Sequence, residues 1–254
     1  MPFTGVVLII GAGPRIGMSV ASRFASNGYK VALVARNLST GCSAEGYLNI
    51  QADLSDPNSV PSIFQTVGKE FSVPNIVVFN GANRLITPHD DPLSAPLDSI
   101  NAARAVGFDS AYIAAQQALQ GFRMLPTSTP TAFIYTGNTL NQIAIPGVMP
   151  FALGKVAAAM LVEYAANAYG KDGYRFYFVD ERKPDGRPAG LQIDGDAHAD
   201  MFWTLAHEPK QSKWLVTFTK DGGGDRHSLE STSTAILGIR MIISLVDNIN
   251  SEDL

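Results

Sequence analysis

The stretch Val6–Gly28, VVLIIGAGPRIGMSVASRFASNG, constrains this chain more than any other. Val6 to Ile10 form an unbroken apolar run rich in β-branched side chains. A run that short does not make a helix, and an unbroken apolar strand has to be covered on both faces, as in a parallel sheet. The turn Gly11-Ala12-Gly13-Pro14-Arg15-Ile16-Gly17 follows, after which Ile16, Val20 and Phe24 recur near helical spacing and Asn27-Gly28 marks a stop. Strand, glycine-rich turn and helix open a dinucleotide-binding βαβ unit. In such a turn Gly11 lets the chain bend off the strand, and Gly13 lets the backbone approach a pyrophosphate. Gly17 lets the helix pack close to the sheet. The N–H groups of the helix's first turn then face the anion. Pro14 has no N–H, so Arg15 and its neighbour Ile16 carry more of that contact. Glycine triplets also occur in ordinary turns; the strand before and the helix after favour the cofactor reading here.

The rest of the chain repeats the alternation. Strands are expected at Lys30–Ala35, Tyr47–Ala52, Asn75–Phe79, Thr131–Thr136, Tyr174–Val179 and Trp214–Thr219. Helices are expected from Asp56-Pro57 (N-cap and first position) to Lys69, over Leu97–Phe122 with a bend at Gly107, over Phe151–Tyr169, and briefly over Ala197–Ala206. Arg84–Pro96, with three prolines, reads as a surface loop. Asp180–Asp196 reads as a long polar loop, of the kind that covers a binding site at the carboxyl edge of a sheet. Strands and helices alternating about every thirty residues mean an α/β protein, one parallel sheet with helices on both faces. Residues 1–220 make one domain, and 221–254 a tail for packing or subunit contact.

Composition removes several function classes. The 254 residues are 46% hydrophobic and 17% charged, as expected for an ordinary globular chain, and the formal charge of −4 gives no reason to expect nucleic acid or an anionic membrane as partner. The single Cys42 precludes an internal disulfide and suits a reducing, cytoplasmic compartment. The four histidines are scattered and show no metal-ligand spacing. No signal peptide is expected, since the first apolar run is needed as a strand, and no apolar run approaches membrane-spanning length. The expected partner is a small molecule.

With these motifs in order, the chain resembles the short-chain dehydrogenase/reductase family over about Val6–Thr219. The resemblance implies a doubly wound Rossmann sheet of seven strands in the order 3-2-1-4-5-6-7. It also implies that Asp53 and Leu54 contact the adenine ring, that Asn80-Gly81-Ala82 stand in for the family's motif after the fourth strand, and that Lys155 holds the nicotinamide ribose. The two long helices would pair across a two-fold axis into a homodimer or homotetramer. Four positions and one loop depart from the family pattern. Arg15 stands where the middle glycine of the turn belongs, Phe151 where the acid/base Tyr belongs, Asn138 at the substrate-orienting Ser, and Gly107 near the helix Asn. Asp180-Glu181-Arg182-Lys183-Pro184-Asp185-Gly186 replaces the loop whose Pro-Gly pair covers the nicotinamide.

Each departure has a chemical consequence. A phenyl ring cannot move a proton, and losing a general acid costs on the order of 10²–10⁴-fold in rate. Asn138 still offers a hydrogen-bond donor to a carbonyl. Asp180 and Glu181, at the carboxyl end of the sixth strand, are the candidate replacement acids, with Tyr112 and Tyr135 behind them. Ala35-Arg36 ends the second strand, where a carboxylate would select a ribose 2′-hydroxyl. Two guanidinium groups, Arg36 and Arg15, instead suit a 2′-phosphate. The expectation is an NADPH-dependent reductase of a carbonyl or imine-type substrate with a displaced proton donor. The alternative is a cofactor-binding protein without redox turnover, a cyclase, isomerase or regulatory subunit.

Overall fold

The computed structural model describes residues 5–222, so nearly all of the expected tail lies outside the described residues. Strand β1 (Val6–Ile10) is buried along its whole length. It pairs in parallel with β2 (Lys30–Ala35) on one side. Beyond β2 lie β3 (Gly41–Cys42) and β4 (Leu48–Gln51). On the other side of β1 follow β5 (Ile76–Phe79), β6 (Thr131–Thr136), β7 (Tyr174–Glu181) and β8 (Leu215–Phe218). The order is β3-β4-β2-β1-β5-β6-β7-β8. Every neighbouring pair is parallel except β3 and β4. The seven parallel strands have the expected order. The eighth, β3, is a two-residue edge ribbon whose length is below what an apolar pattern can signal.

Alternation along the strands divides the interior into two cores. Val7, Ile9, Tyr177 and Val179 face α1 (Ile16–Ser26) and α6 (Gly195–Ala206). Leu8, Ile10, Phe176 and Phe178 face α2 (Val60–Glu70), α4 (Ser110–Phe122) and α5 (Met149–Tyr169), while α3 (Leu97–Arg104) packs on α5. A one-residue slip of any strand would exchange the two sets. Each large apolar side chain contributes about 1.5–3 kcal/mol on full burial, so the register is strongly held.

Three local expectations are corrected. Asp56 accepts a hydrogen bond from Asn58 N, but it caps a 3₁₀ turn, Pro57–Ser59, and α2 begins only at Val60. β7 continues past Val179 to Glu181 because β8 pairs with it, Asp180 opposite Thr217 and Glu181 opposite Phe218. Asp180 and Glu181 are therefore buried strand residues, and the loop starts at Arg182. The segment Met149–Asp172 is long enough to cross a bilayer, and an 18-residue window within it has a mean hydropathy of 1.3, contrary to the expectation that no run approaches that length. In this fold its Ala158 and Val162 lie in the core against the sheet.

The expected bend at Gly107 is a π-helical turn, Ala105–Asp109, between α3 and α4. Such a turn spoils the regular ladder and leaves backbone groups to be satisfied elsewhere. The buried Tyr135 hydroxyl donates to Gly107 O at 2.8 Å. Gly107 also meets Gly154 of α5 so closely that a Cβ on either would lie 3.2 Å from the other's Cα. This contact sets the position of Lys155, the next residue. Gly154→Val should force the two helices apart and cost about 1–3 kcal/mol, the usual scale for overpacking. A fall in the urea midpoint without a change in slope checks this.

Candidate active site

Parallel pairing sends the carboxyl ends of β1, β2 and β5–β8 to one edge of the sheet, and the glycine turn lies in the middle of it. Gly11 has φ +87°, and a Cβ there would lie 2.5 Å from Gly81 N. Both facts require glycine. Gly11 N and Ala12 N donate to Val34 O at 2.9 and 2.8 Å. Asn80 donates twice, from N to Ile10 O at 2.7 Å and from Nδ2 to Gly11 O at 2.8 Å. The turn is thus clamped between the ends of β2 and β5. A Cβ on Gly17 would lie 2.7 Å from Ala12 Cα, so the helix start sits directly on the turn. Nothing lies within 4 Å of a Cβ built on Gly13. That open cradle at a helix N-terminus fits a pyrophosphate.

The flanking groups extend the cradle. Arg15 precedes α1 with an exposed side chain that makes no cap hydrogen bond. Arg36, exposed at the end of β2, has its carbonyl held by Gln51 Nε2 at 2.9 Å. Asp53 lies close enough to Arg36 to feel its charge, and its Oδ1 accepts from Ser55 N at 2.9 Å. Leu54 is buried beneath it, its carbonyl accepting from Ser110 Oγ at 2.7 Å. Gly81 is buried next to Leu54, while Ala82 is exposed. The residues named from the sequence for the adenosine half of a cofactor therefore border one edge of the sheet.

Lys155 is buried in α5 and its Nζ donates to Thr136 O, the last carbonyl of β6, at 2.7 Å. Nζ lies 4.6 Å from the Tyr135 ring centre and 5.4 Å from that of Phe151. Burial pulls the amine down to about 7, against an opposing pull from the Asp180 carboxylate. Asn138 accepts from Leu140 N at 3.0 Å and so caps the turn Thr139–Asn141. Its Nδ2 makes no hydrogen bond among the described residues. Tyr135 is committed to Gly107 O, and burial raises its hydroxyl above the ordinary range. Tyr112 is exposed on α4, where its hydroxyl accepts from Gln116.

Successive strand residues point to opposite faces, so Asp180 and Glu181 serve different partners. Glu181 Oε2 accepts from Asp194 N at 2.8 Å and lies 3.3 Å from His198 Nδ1 on the α6 side. Asp180 is on the Lys155 side. Its Oδ2 accepts from Arg182 Nε at 2.5 Å, and its Oδ1 is buried without a partner. Burial pushes Asp180 up to about 6, against the Arg182 charge and hydrogen bond, with smaller opposing pulls from His198 and Lys155. Arg182, also buried, donates from Nη1 to Gly186 O at 3.0 Å and from Nη2 to Gln142 Oε1 at 3.1 Å.

A family profile described as enoyl-(acyl carrier protein) reductase matches residues 11–182. A short chain dehydrogenase/reductase, dmxR12 of Cryptosporiopsis sp. (strain 8999), is 39% identical over 229 residues, covering 86% of this chain and 93% of that protein. The chain belongs to the short-chain dehydrogenase/reductase family. Among solved structures, a Serratia marcescens short-chain dehydrogenase/reductase variant superposes with a TM-score of 0.70 at 18% identity, over 88% of this chain and all of that one. ElxO with NADP bound gives 0.71 at 17%, over 86% and 98%. An NADH-dependent reductase, A1-R′, complexed with NAD gives 0.72 at 16%, over 84% and 94%. The family's members are oxidoreductases, and their fold carries nicotinamide cofactors.

This dehydrogenase/reductase presents one feature that sequence reasoning missed. Arg182 joins the end of β7, the turn after β6 and the hairpin after β7, yet it read as an ordinary loop charge. Its spacing of two from Asp180 was the available signal, visible only once the strand is known to reach Glu181. The open space at Gly13 separates folding from binding. Gly13→Val should leave the thermal midpoint nearly unchanged and weaken dinucleotide binding at least about tenfold, or about 1.4 kcal/mol. Calorimetry and a fluorescence titration measure the two effects.

Proposed function

We propose that this protein reduces the C=O or C=N group of a small organic substrate with NADPH, and that Lys155 supplies the proton. The observation that carries the reading is a buried lysine, with a pKa drawn to about 7, at the sheet edge that bears the glycine cradle. A group that titrates near neutral pH is a competent acid there. NADPH, when bound, supplies the hydride. Lys155 gives one N–H proton to the substrate oxygen or nitrogen as the carbon accepts hydride, and the amine regains a proton from water. Asn138 Nδ2 orients the acceptor atom, and the Phe151 ring forms apolar wall beside it. Asp180 has one oxygen committed to Arg182 and acts through Lys155. Glu181 is committed to Asp194 and His198 on the other face.

NADPH oxidation against a panel of ketones, aldehydes and imines tests this reading. Activity should fall as pH rises through about 7, because the ammonium is the acid form, and Lys155→Met should lose at least about 10²-fold. The departures at Phe151 and Asn138 favour a second reading, cofactor binding without turnover; NADPH binding with no consumption across the panel would establish it.

Arg15 and Arg36, both exposed at the cradle, support the choice of NADPH over NADH. NADPH should bind at least about tenfold tighter than NADH, and Arg36→Asp should remove most of that preference. Calorimetric titration of both cofactors decides it. The exposed Leu153, Val156, Met160 and Tyr164 of α5 support self-association through that helix. Light scattering at micromolar concentration should give a dimer or tetramer, and Met160→Glu should shift it toward monomer.

A further inference from the structure

Lys155, Asp180 and Arg182 are charged groups buried close together at the carboxyl end of β7, yet they are paired unevenly. Arg182 holds Asp180 Oδ2 directly. Lys155 forms no salt bridge among the described residues; its one hydrogen bond is to the Thr136 carbonyl. Asp180 Oδ1 lies buried with no hydrogen-bond partner. The carboxylate whose charge acts on Lys155 is thus bonded to a different cation. Nothing local demands this, since an ammonium and a carboxylate buried near each other gain by closing into contact.

The cause lies in how Arg182 is anchored. Its backbone N donates to Phe218 O at 2.8 Å, which fixes it to the end of β8. Its guanidinium is forked across Gly186 O and Gln142 Oε1 as well as Asp180. Besides Asp180, three segments anchor Arg182, two through the guanidinium and one through its backbone, and Asp180 must follow the fork. The charged and titratable groups facing Asp180 are Arg182, His198 of α6 and Lys155; Asp180 is the one acting on Lys155.

We infer that Arg182 is a positioning residue for Lys155: by holding a carboxylate oxygen of Asp180 it keeps Asp180 from closing an ion pair on Lys155, and so leaves the amine available to pass a proton to bound substrate. This role rests on the reading of Lys155 as the acid. A lysine sealed against a carboxylate would keep its proton at neutral pH and serve only as a fixed charge. Arg182 also adds positive charge to the cluster, which works in the same direction.

The test is a titration of the unliganded protein, which requires no turnover. Lysine labelled with ¹³C gives an ε-methylene NMR signal, assigned to Lys155 by its loss in Lys155→Arg. Its midpoint in the unaltered protein should lie near 7. Arg182→Gln removes a positive charge and frees Asp180 to turn to the amine. The midpoint should rise, with proton affinity increased at least about tenfold. Asp180→Asn, close to isosteric, removes the one negative charge acting on Lys155 among the described residues, and the midpoint should fall. Arg182→Lys keeps a cation beside Asp180 and should restore much of the native midpoint. Opposite shifts from Arg182→Gln and Asp180→Asn are not expected of residues that merely hold the fold. A midpoint unmoved by Arg182→Gln overturns the inference. So does one unmoved by Asp180→Asn, which remains decisive if the Gln variant does not fold. Failure of every carbonyl and imine to oxidise NADPH would instead overturn the reductase reading, while the titration still decides Arg182.

Discussion

Everything in this structure hangs on the parallel pairing of β1 with β2 and β5. β1 is sealed by strands on both edges and helices on both faces, so its register is fixed by apolar burial rather than by any single contact. Parallel pairing through helical crossovers sends the carboxyl ends of the joined strands to one edge of the sheet. The glycine turn after β1, Asn80 after β5, the Thr136 carbonyl of β6 and Asp180 of β7 are far apart in the chain. They meet because the sheet leaves them no other place.

That edge combines an open half and a sealed half. Around Gly13 the backbone is bare and flanked by exposed arginines, which suits a phosphate-bearing ligand. Around Lys155 the groups are buried and charged, and burial penalises their charged forms: the amine is pulled down and the Asp180 carboxyl pushed up, so that both titrate within reach of neutral pH. Phe151 carries no hydroxyl, yet groups drawn toward neutral pH lie close to it. Lys155 lies one helical turn along α5 from it. The Gly107–Gly154 contact and the Tyr135 hydroxyl fix the backbone on which Lys155 stands, so the π turn belongs to the site as much as to the fold.

The strands β1, β2, β5 and β6 were legible in the sequence because each is an apolar run bounded by a turn signal. The glycine cradle was legible because Gly11 answers a backbone requirement that no other residue meets and Gly13 leaves the space over the turn open. The end of β7 was not. Asp180 and Glu181 look like loop residues by type, and only pairing with β8 makes them strand. From that one difference follow their opposite faces, their separate partners, and the place of Arg182 between three segments.

By itself the sequence determined the α/β alternation, the family, the cradle, and the absence of a hydroxyl at Phe151, since all of these depend on residue type and short-range spacing. The tertiary structure alone decided which charges meet: that Asp180 faces Lys155 while Glu181 faces His198, and that Arg182 rather than Lys155 holds the Asp180 carboxylate. The reason is physical. Apolar periodicity is written along the chain and is read locally, whereas the strength of a buried charge depends on partners and on a dielectric environment supplied by distant segments.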